Sequence, residues 1–316
     1  MWRQRRSCRG ELVQWDTSVH AWLEDRGPER MYLVALIDDA TSTLFARFVT
    51  ADSTEEHMRV LRDYLECWGR PQAVYTDKAS LFQPTLAPGW KGDEPGDKSE
   101  TQLGRALREL GIEWIAAHSP QAKGRVERCF GTLQNRLVKA LRKAKVKTLE
   151  QANDYLKKEF LAMWNKRFTS KPANEVDAHR PITDMQDLDS LLSLMEFRGV
   201  ASDYTISWRG KRWQVPKAAV RAGLRGSRIR IEQRLNRKMM ARVGEAFVEL
   251  EACEHRRVQP LAEKKPAKKK YIPGPGQSRW MDNFHLKANV ANQRTQGAAA
   301  AVSARLRSPS GLSTPG

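Results

Sequence analysis

Cysteine is scarce and scattered. Cys8, Cys67, Cys129 and Cys253 are the only four. No two of them form a C-x-x-C pair, which argues against a zinc ribbon or a disulfide framework and fits a reducing compartment. Long apolar runs are missing too. Nothing approaches the roughly 20 residues needed to span a bilayer, and the basic start Met1-Trp2-Arg3-Gln4-Arg5-Arg6 leads into no hydrophobic signal segment, so no membrane partner is expected. Acid is in short supply: 37 Asp plus Glu face 55 Lys plus Arg, a net charge of +18. That excess exceeds what solubility needs and points to a polyanionic partner.

What is present is enough for a core, since 40% of the 316 residues are hydrophobic and ten are Trp. The length suggests two or three domains. Glu11–Asp16, Met31–Ile37 and Thr43–Val49 read as three short strands separated by turn signals. Ser53 and Glu56 form a capping box for a helix with Met58, Leu61, Leu65 and Trp68 on one stripe, ended by Gly69 and Pro71. Ala73–Thr76 is a fourth strand closing on Asp77. Residues 83–98 are a Pro/Gly-rich loop. Ser99 and Gln102 form a second capping box for a helix to Leu110, and Ile112–Ala117 is a fifth strand. After Pro120 a long helix places Val126, Phe130, Leu133, Leu137 and Leu141 on one face. The order βββαβαβα predicts an antiparallel start followed by right-handed crossovers onto a mixed α/β sheet.

Beyond this core, a helix is expected from Thr148 to about Asn165, and another near Asp184–Phe197. Alternation at Tyr204, Ile206 and Trp208 and at Ile229 and Ile231 indicates a small all-β module, a barrel. From Arg256 to Lys270, seven basic residues accompany one acid, Glu263, in a segment that reads as a disordered basic tail. The domain boundaries are therefore a basic lead-in at 1–10, the α/β core at 11–147, a helical extension at 148–200, the β module at 201–252 and the tail at 253–316.

Three acids stand out by position. Asp16 ends the first strand, Asp77 ends the fourth, and Glu127 lies near the start of the long helix. If the fourth strand lies beside the first, the two aspartates become neighbours and the helix can cross the same end. Three such carboxylates could hold two Mg²⁺ (or Mn²⁺) ions at roughly 3.5–4 Å separation, without a histidine ligand. Glu127 is the only acid between Ser119 and Leu149, among nine Lys and Arg. The plainer reading is an exposed salt bridge with Lys123, worth only about 0.3–0.5 kcal/mol. Asp38 and Asp39 compete for the first position, but the following Ala40-Thr41-Ser42 favours turn or support roles. His118 reads as structural or solvated. Asp93, Glu94, Asp97 and Glu100 read as solvated.

Asp16, Ile37-Asp38-Asp39-Ala40-Thr41-Ser42, Thr76-Asp77-Lys78 and Ser119-Pro120-Gln121-Ala122-Lys123-Gly124-Arg125-Val126-Glu127-Arg128 resemble the integrase core of bacterial insertion-sequence DDE transposases. The likeness is to the ISNCY type, related to retroviral integrases, and covers about residues 5–255. Residues 172–181, Pro-Ala-Asn-Glu-Val-Asp-Ala-His-Arg-Pro, resemble that family's post-core segment. The resemblance implies an RNase H-like fold and a DDE triad of Asp16, Asp77 and Glu127. It implies Mg²⁺-dependent cleavage at transposon ends and strand transfer into target DNA by a homo-oligomer in the bacterial cytoplasm, at the nucleoid.

Double-stranded DNA would be met by Lys78, Lys123, Arg125, Arg128, Arg136 and Lys139, and by Arg256, Arg257, Lys268, Lys269 and Lys270 of the tail. Two departures accompany the likeness. Family members carry helix-turn-helix domains before the core, which implies a separately encoded helix-turn-helix subunit or a truncated, silent DNA-binding remnant. Ala79 stands where a histidine follows Asp-Lys. An RNase H-like ribonuclease would use the same metal chemistry, but the helix motif and the appended β module disfavour it.

Overall fold

A two-residue strand β1 (Cys8–Arg9) leads into a meander of β2 (Leu12–His20), β3 (Met31–Asp38) and β4 (Leu44–Val49). Helix α1 (Thr54–Trp68) follows, with Ser53 accepting from the Glu56 N–H and Gly69 closing the last turn at positive φ. The core continues through β5 (Ala73–Thr76), α2 (Gln102–Glu109), β6 (Glu113–Ala116) and α3 (Gly124–Lys143). Helix α4 (Leu149–Tyr155) runs on through a π-helical stretch, Leu156–Phe160, into α5 (Leu161–Phe168). Next come β7 (Asn174–Asp177), α6 (Leu188–Leu191), β8 (Leu194–Gly199), β9 (Thr205–Trp208) and β10 (Lys211–Gln214). The last strands are β11 (Arg228–Gln233), β12 (Met239–Val243), β13 (Ala246–Glu249) and β14 (Glu251–Ala252). This computed structural model describes residues 4–77, 81–82, 100–117, 124–183 and 187–253. All four cysteines are free thiols. Among the described residues no helix is long and apolar enough to cross a membrane.

The five-stranded sheet has the order β4-β3-β2-β5-β6. The first three strands are antiparallel, and β5 and β6 add in parallel beside β2, as the element order requires. Side-chain alternation gives the sheet two cores. Val13, Trp15, Val34 and Leu36 pack against α1 and α2. Leu33, Ala35 and Ile37 face the α3–α5 layer, meeting Phe130, Leu133 and Leu137. The exposed edge, β4, is closed by two asparagines. Asn165 accepts from the Leu44 N–H and donates to the Leu44 carbonyl, at 2.8 and 2.9 Å. Asn153 does the same at Phe48, also at 2.8 and 2.9 Å. Each amide thus completes one rung of a missing strand.

Two local expectations shift. The second capping box moves two residues: Thr101, rather than Ser99, accepts from Gly104 N–H at 3.0 Å to start α2. Of the helix expected near Asp184–Phe197, the described residues from Asp187 onward show only Leu188–Leu191, after which the chain enters β8. Its residues Leu194 and Met195 suit a helix locally, but pairing with β11 over six positions decides otherwise. The β module is barrel-like, built from a four-stranded and a three-stranded sheet around Ile206, Trp208, Val215, Ile231 and Ala241. The basic tail and its Arg256, Arg257, Lys268, Lys269 and Lys270 lie outside the described residues.

The segment resembling a post-core motif works as a clasp. β7 pairs with β1, and Asp177 takes an ion pair from Arg9 at 3.0 Å. His179 meets Asp177 through Nδ1 at 2.5 Å and the Tyr64 hydroxyl through Nε2 at 2.8 Å. Burial, with Asp38's charge adding to it, pushes the Tyr64 phenol well above its ordinary value, so it stays neutral. Burial works to raise the pKa of Asp177, but hydrogen bonds from the His179 backbone and ring bring it below the carboxylate norm.

Gly10 packs directly on the His179 ring. At φ +82, a Cβ there would lie 2.5 Å from His179 Nδ1. Gly111, at φ +67, has nothing nearer than 3.8 Å. Gly10→Ala and Gly111→Ala therefore share the left-handed penalty of roughly 1–2 kcal/mol, and only the first adds a clash. Urea unfolding should show the larger loss for Gly10→Ala. Equal losses would mean the clasp yields freely.

Candidate active site

Two of the three acids come from adjacent parallel strands. β2 and β5 pair Leu12 with Ala73, Val13 with Val74 and Gln14 with Tyr75. Two residues beyond the last of these pairs, β2 carries Asp16, while β5 ends at Thr76 and leads directly into Asp77. Alternation also fixes the side. Within β2, Asp16 shares the face of Leu12, which packs with Ala73 and Tyr75, opposite Val13 and Val74. The backbone at Asp77 is anchored by Ala117 N–H on the Thr76 carbonyl at 2.7 Å and by the Thr76 hydroxyl on the Asp77 carbonyl at 2.8 Å. Asp16 is half-buried and accepts from the Thr17 N–H at 3.0 Å, while Asp77 is exposed.

Glu127 arrives on α3, and two contacts set its level along β2. Arg125 pairs with Asp39, which also accepts from the Gln14 amide at 3.0 Å. Nine residues later, Gln134 donates to the Ser18 hydroxyl at 3.3 Å. Nine helical residues rise about 13.5 Å, and the four strand residues from Gln14 to Ser18 rise about 13 Å. Helix and strand therefore run side by side in the same direction. Glu127, about 3 Å beyond Arg125, comes level with the stretch between Gln14 and Asp16. It is also seven residues, two turns, before Gln134 and so shares its stripe.

The three side chains are nonetheless not gathered. Glu127 is exposed, and among the described residues no group of three or more His, Cys, Asp or Glu is placed to hold a metal ion. The donor set itself is all carboxylate, the hard-oxygen chemistry of Mg²⁺ or Mn²⁺ rather than of zinc.

Asp38 and Asp39 are supports, as the turn sequence suggests. Asp38 accepts from Gly10 N–H at 2.8 Å and from the N–H and hydroxyl of Thr41 at 2.7 and 2.6 Å. Asp39 is fully buried and also takes the Arg6 N–H at 2.9 Å. Arg125, expected at phosphate, is largely buried and spends a guanidinium contact on Asp39. Arg128 is exposed, with Nε on the Gly124 carbonyl at 2.8 Å. Arg136 is exposed 5.3 Å above the Phe168 ring, and Lys139 is exposed with Asn135 at 2.7 Å. Lys78, Lys123 and His118 lie outside the described residues, as do Asp93, Glu94 and Asp97. Glu100 pairs with Arg108 at 2.9 Å.

Sequence reasoning missed a network behind Asp16. His57 is 2% exposed, stacks on Trp15 and meets Asp52 at 2.6 Å. The Thr17 hydroxyl reaches Asp52 at 3.3 Å. The hydrogen bond with His57 holds the Asp52 carboxyl below its ordinary value, against burial. The only hint was a histidine one position from the apolar stripe of α1.

No protein-family model matches the chain. It is 41% identical over 226 residues to y4bF, an inferred transposase of Sinorhizobium fredii, covering 71% of this chain and 48% of that protein. It is 35% identical over 210 residues to the transposase for insertion sequence IS1202 of Streptococcus pneumoniae, covering 66% and 43%. The chain thus spans about half the length of these relatives. Among solved structures, the HTLV-2 integrase catalytic core domain in complex with magnesium matches with a TM-score of 0.36 at 16% identity, over 51% of this chain and 86% of that one. The simian T-cell lymphotropic virus intasome in complex with PP2A regulatory subunit B56 gamma gives a TM-score of 0.38 at 14% identity, over 80% and 82%.

Proposed function

We propose that this chain, an insertion-sequence transposase relative with an integrase-like core, cuts DNA strands at element ends and joins them to target DNA. The observation that supports the reading is the parallel pairing of β2, which carries Asp16, with β5, which leads into Asp77, while α3 contacts β2 through Gln134 and Ser18. Asp16 and Asp77 offer hard anionic oxygens from rigid strands, and Glu127 is the third donor, supplied from the facing helix. Asp16, Asp77 and Glu127 would hold two divalent ions, Mg²⁺ or Mn²⁺, which would supply Lewis acidity to the reacting phosphate. Arg128, Arg136 and Lys139 flank the site and neutralise the DNA backbone, aided by Lys78, Lys123 and the tail cations. The working form is a homo-oligomer on paired DNA ends, with end recognition from a helix-turn-helix region.

One observation favours a second reading, a catalytically silent DNA-binding remnant: the three carboxylates are not gathered into one cluster. Incubating the chain with duplex DNA carrying the element ends separates the two. Cleavage that requires Mg²⁺, stops on chelation and returns on adding the ion supports the enzyme. Binding without cleavage at any Mg²⁺ or Mn²⁺ concentration supports the remnant. Faster cleavage of an RNA–DNA hybrid than of duplex DNA would overturn both in favour of a ribonuclease.

A further inference from the structure

Asp16 sits where β2 is held unevenly. Pairing with β3 runs from Val13–Asp38 to His20–Met31, whereas among the described residues pairing with β5 covers only Leu12 to Gln14. From Asp16 onward the strand takes further support from beneath, from the start of α1. Ser53 caps this helix, and its carbonyl takes the His57 N–H at 3.0 Å, so the first turn fixes how far His57 stands from Asp52.

The strand register says which face is braced. Asp16 lies opposite Ala35, whose face packs on the α3 layer. Its neighbours Trp15 and Thr17 lie opposite Leu36 and Val34, on the α1 face. His57 reaches both neighbours: its ring stacks on Trp15 with centroids 5.5 Å apart, and Nε2 lies 3.4 Å from the Thr17 hydroxyl. Asp52 completes the triangle, 2.6 Å from His57 Nε2 and 3.3 Å from that hydroxyl. Thr17 in turn gives its backbone N–H to Asp16 Oδ1 at 3.0 Å. Packing alone does not account for this histidine. Among the described residues its buried Nδ1 has no hydrogen-bond partner, a cost of about 1–3 kcal/mol that a leucine would avoid.

We propose that His57 and Asp52 are positioning residues, which brace Thr17 and Trp15 from the α1 face and so aim the Asp16 carboxylate at a divalent cation. The brace rests on the reading of Asp16 as a metal ligand. It acts through the Thr17 N–H: with Oδ1 tied there, the placement of Oδ2 follows that of Thr17.

Mn²⁺ binding by the full chain without DNA, followed by the electron paramagnetic resonance signal of the unbound ion, tests this apart from activity. Thr17→Val keeps the branched shape and the backbone N–H but lacks the hydroxyl. His57→Leu fills the same space without a polar atom. Each is expected to weaken Mn²⁺ affinity by roughly 10–100-fold, the range for partners behind a metal ligand, with the far-ultraviolet circular dichroism unchanged. Thr17→Ser restores the hydroxyl, and His57→Gln brings an amide that can donate or accept, so both should return most of the affinity. A role in packing predicts the opposite order at position 57, with leucine tolerated better than glutamine.

Mn²⁺ binding that is lost in Asp16→Asn but kept at wild-type strength in Thr17→Val and His57→Leu overturns the brace alone. Should His57→Leu fail to fold, Thr17→Val decides by itself. Binding that survives Asp16→Asn unchanged, or no binding by the wild type, overturns the metal-site reading and the brace together.

Discussion

Asp16→Asn and Asp77→Asn are each expected to lower Mg²⁺-dependent DNA cleavage by more than 100-fold, beyond the roughly 10–100-fold loss typical of an outer-shell partner, while duplex binding stays at wild-type strength. The substitution keeps the side chain's shape and one acceptor oxygen, so folding should be little affected at positions that are half-buried and exposed, respectively. What it removes is the negative charge that a hard cation requires. Glu127→Gln should fall in the same class if α3 supplies the third donor. Were Glu127 only a surface charge on a basic helix, its replacement would cost a few tenths of a kcal/mol in stability and nothing in cleavage. Single-turnover cleavage beside anisotropy binding on the same preparations distinguishes these outcomes. Full cleavage by either aspartate variant would end the proposed mechanism.

The strands that carry Asp16 and lead into Asp77 were legible in the sequence, because period-two patterning and element order point to them, and the two pair in parallel. The amphipathic stripe Val126, Phe130, Leu133, Leu137 and Leu141 likewise fixed the buried face of α3. Other features depend on contacts between residues far apart in the chain. β8 contains good helix formers and is a strand only because β11 pairs with it. Arg125 looked like one more phosphate contact in a basic run, since nothing local distinguishes an arginine that will meet an aspartate 86 residues away. The Asp52–His57–Thr17 group escaped notice for the same reason, although His57 on a largely buried helix face was a hint.

Asp39→Ala is expected to destabilise the fold by about 3–5 kcal/mol, the range for breaking a buried charge pair. The carboxylate is completely buried and serves three elements at once. It takes the Arg6 N–H at 2.9 Å, the Gln14 amide at 3.0 Å and the Arg125 guanidinium. Alanine would remove the buried acceptor that these three donors share. Asp39→Asn should also destabilise strongly, since an amide brings donors toward donors. Pairing Asp39→Leu with Arg125→Met should recover much of the loss, because the buried ion pair is then replaced by apolar contact. Urea unfolding of the single and double variants measures this coupling. A loss below about 1 kcal/mol for Asp39→Ala, the range of an exposed pair, would mean that Asp39 does not anchor α3. The functional consequence follows from geometry: Arg125 stands two residues before Glu127. Loosening its anchor should therefore depress cleavage in protein that remains folded, while Gln134 still holds the middle of the helix to Ser18.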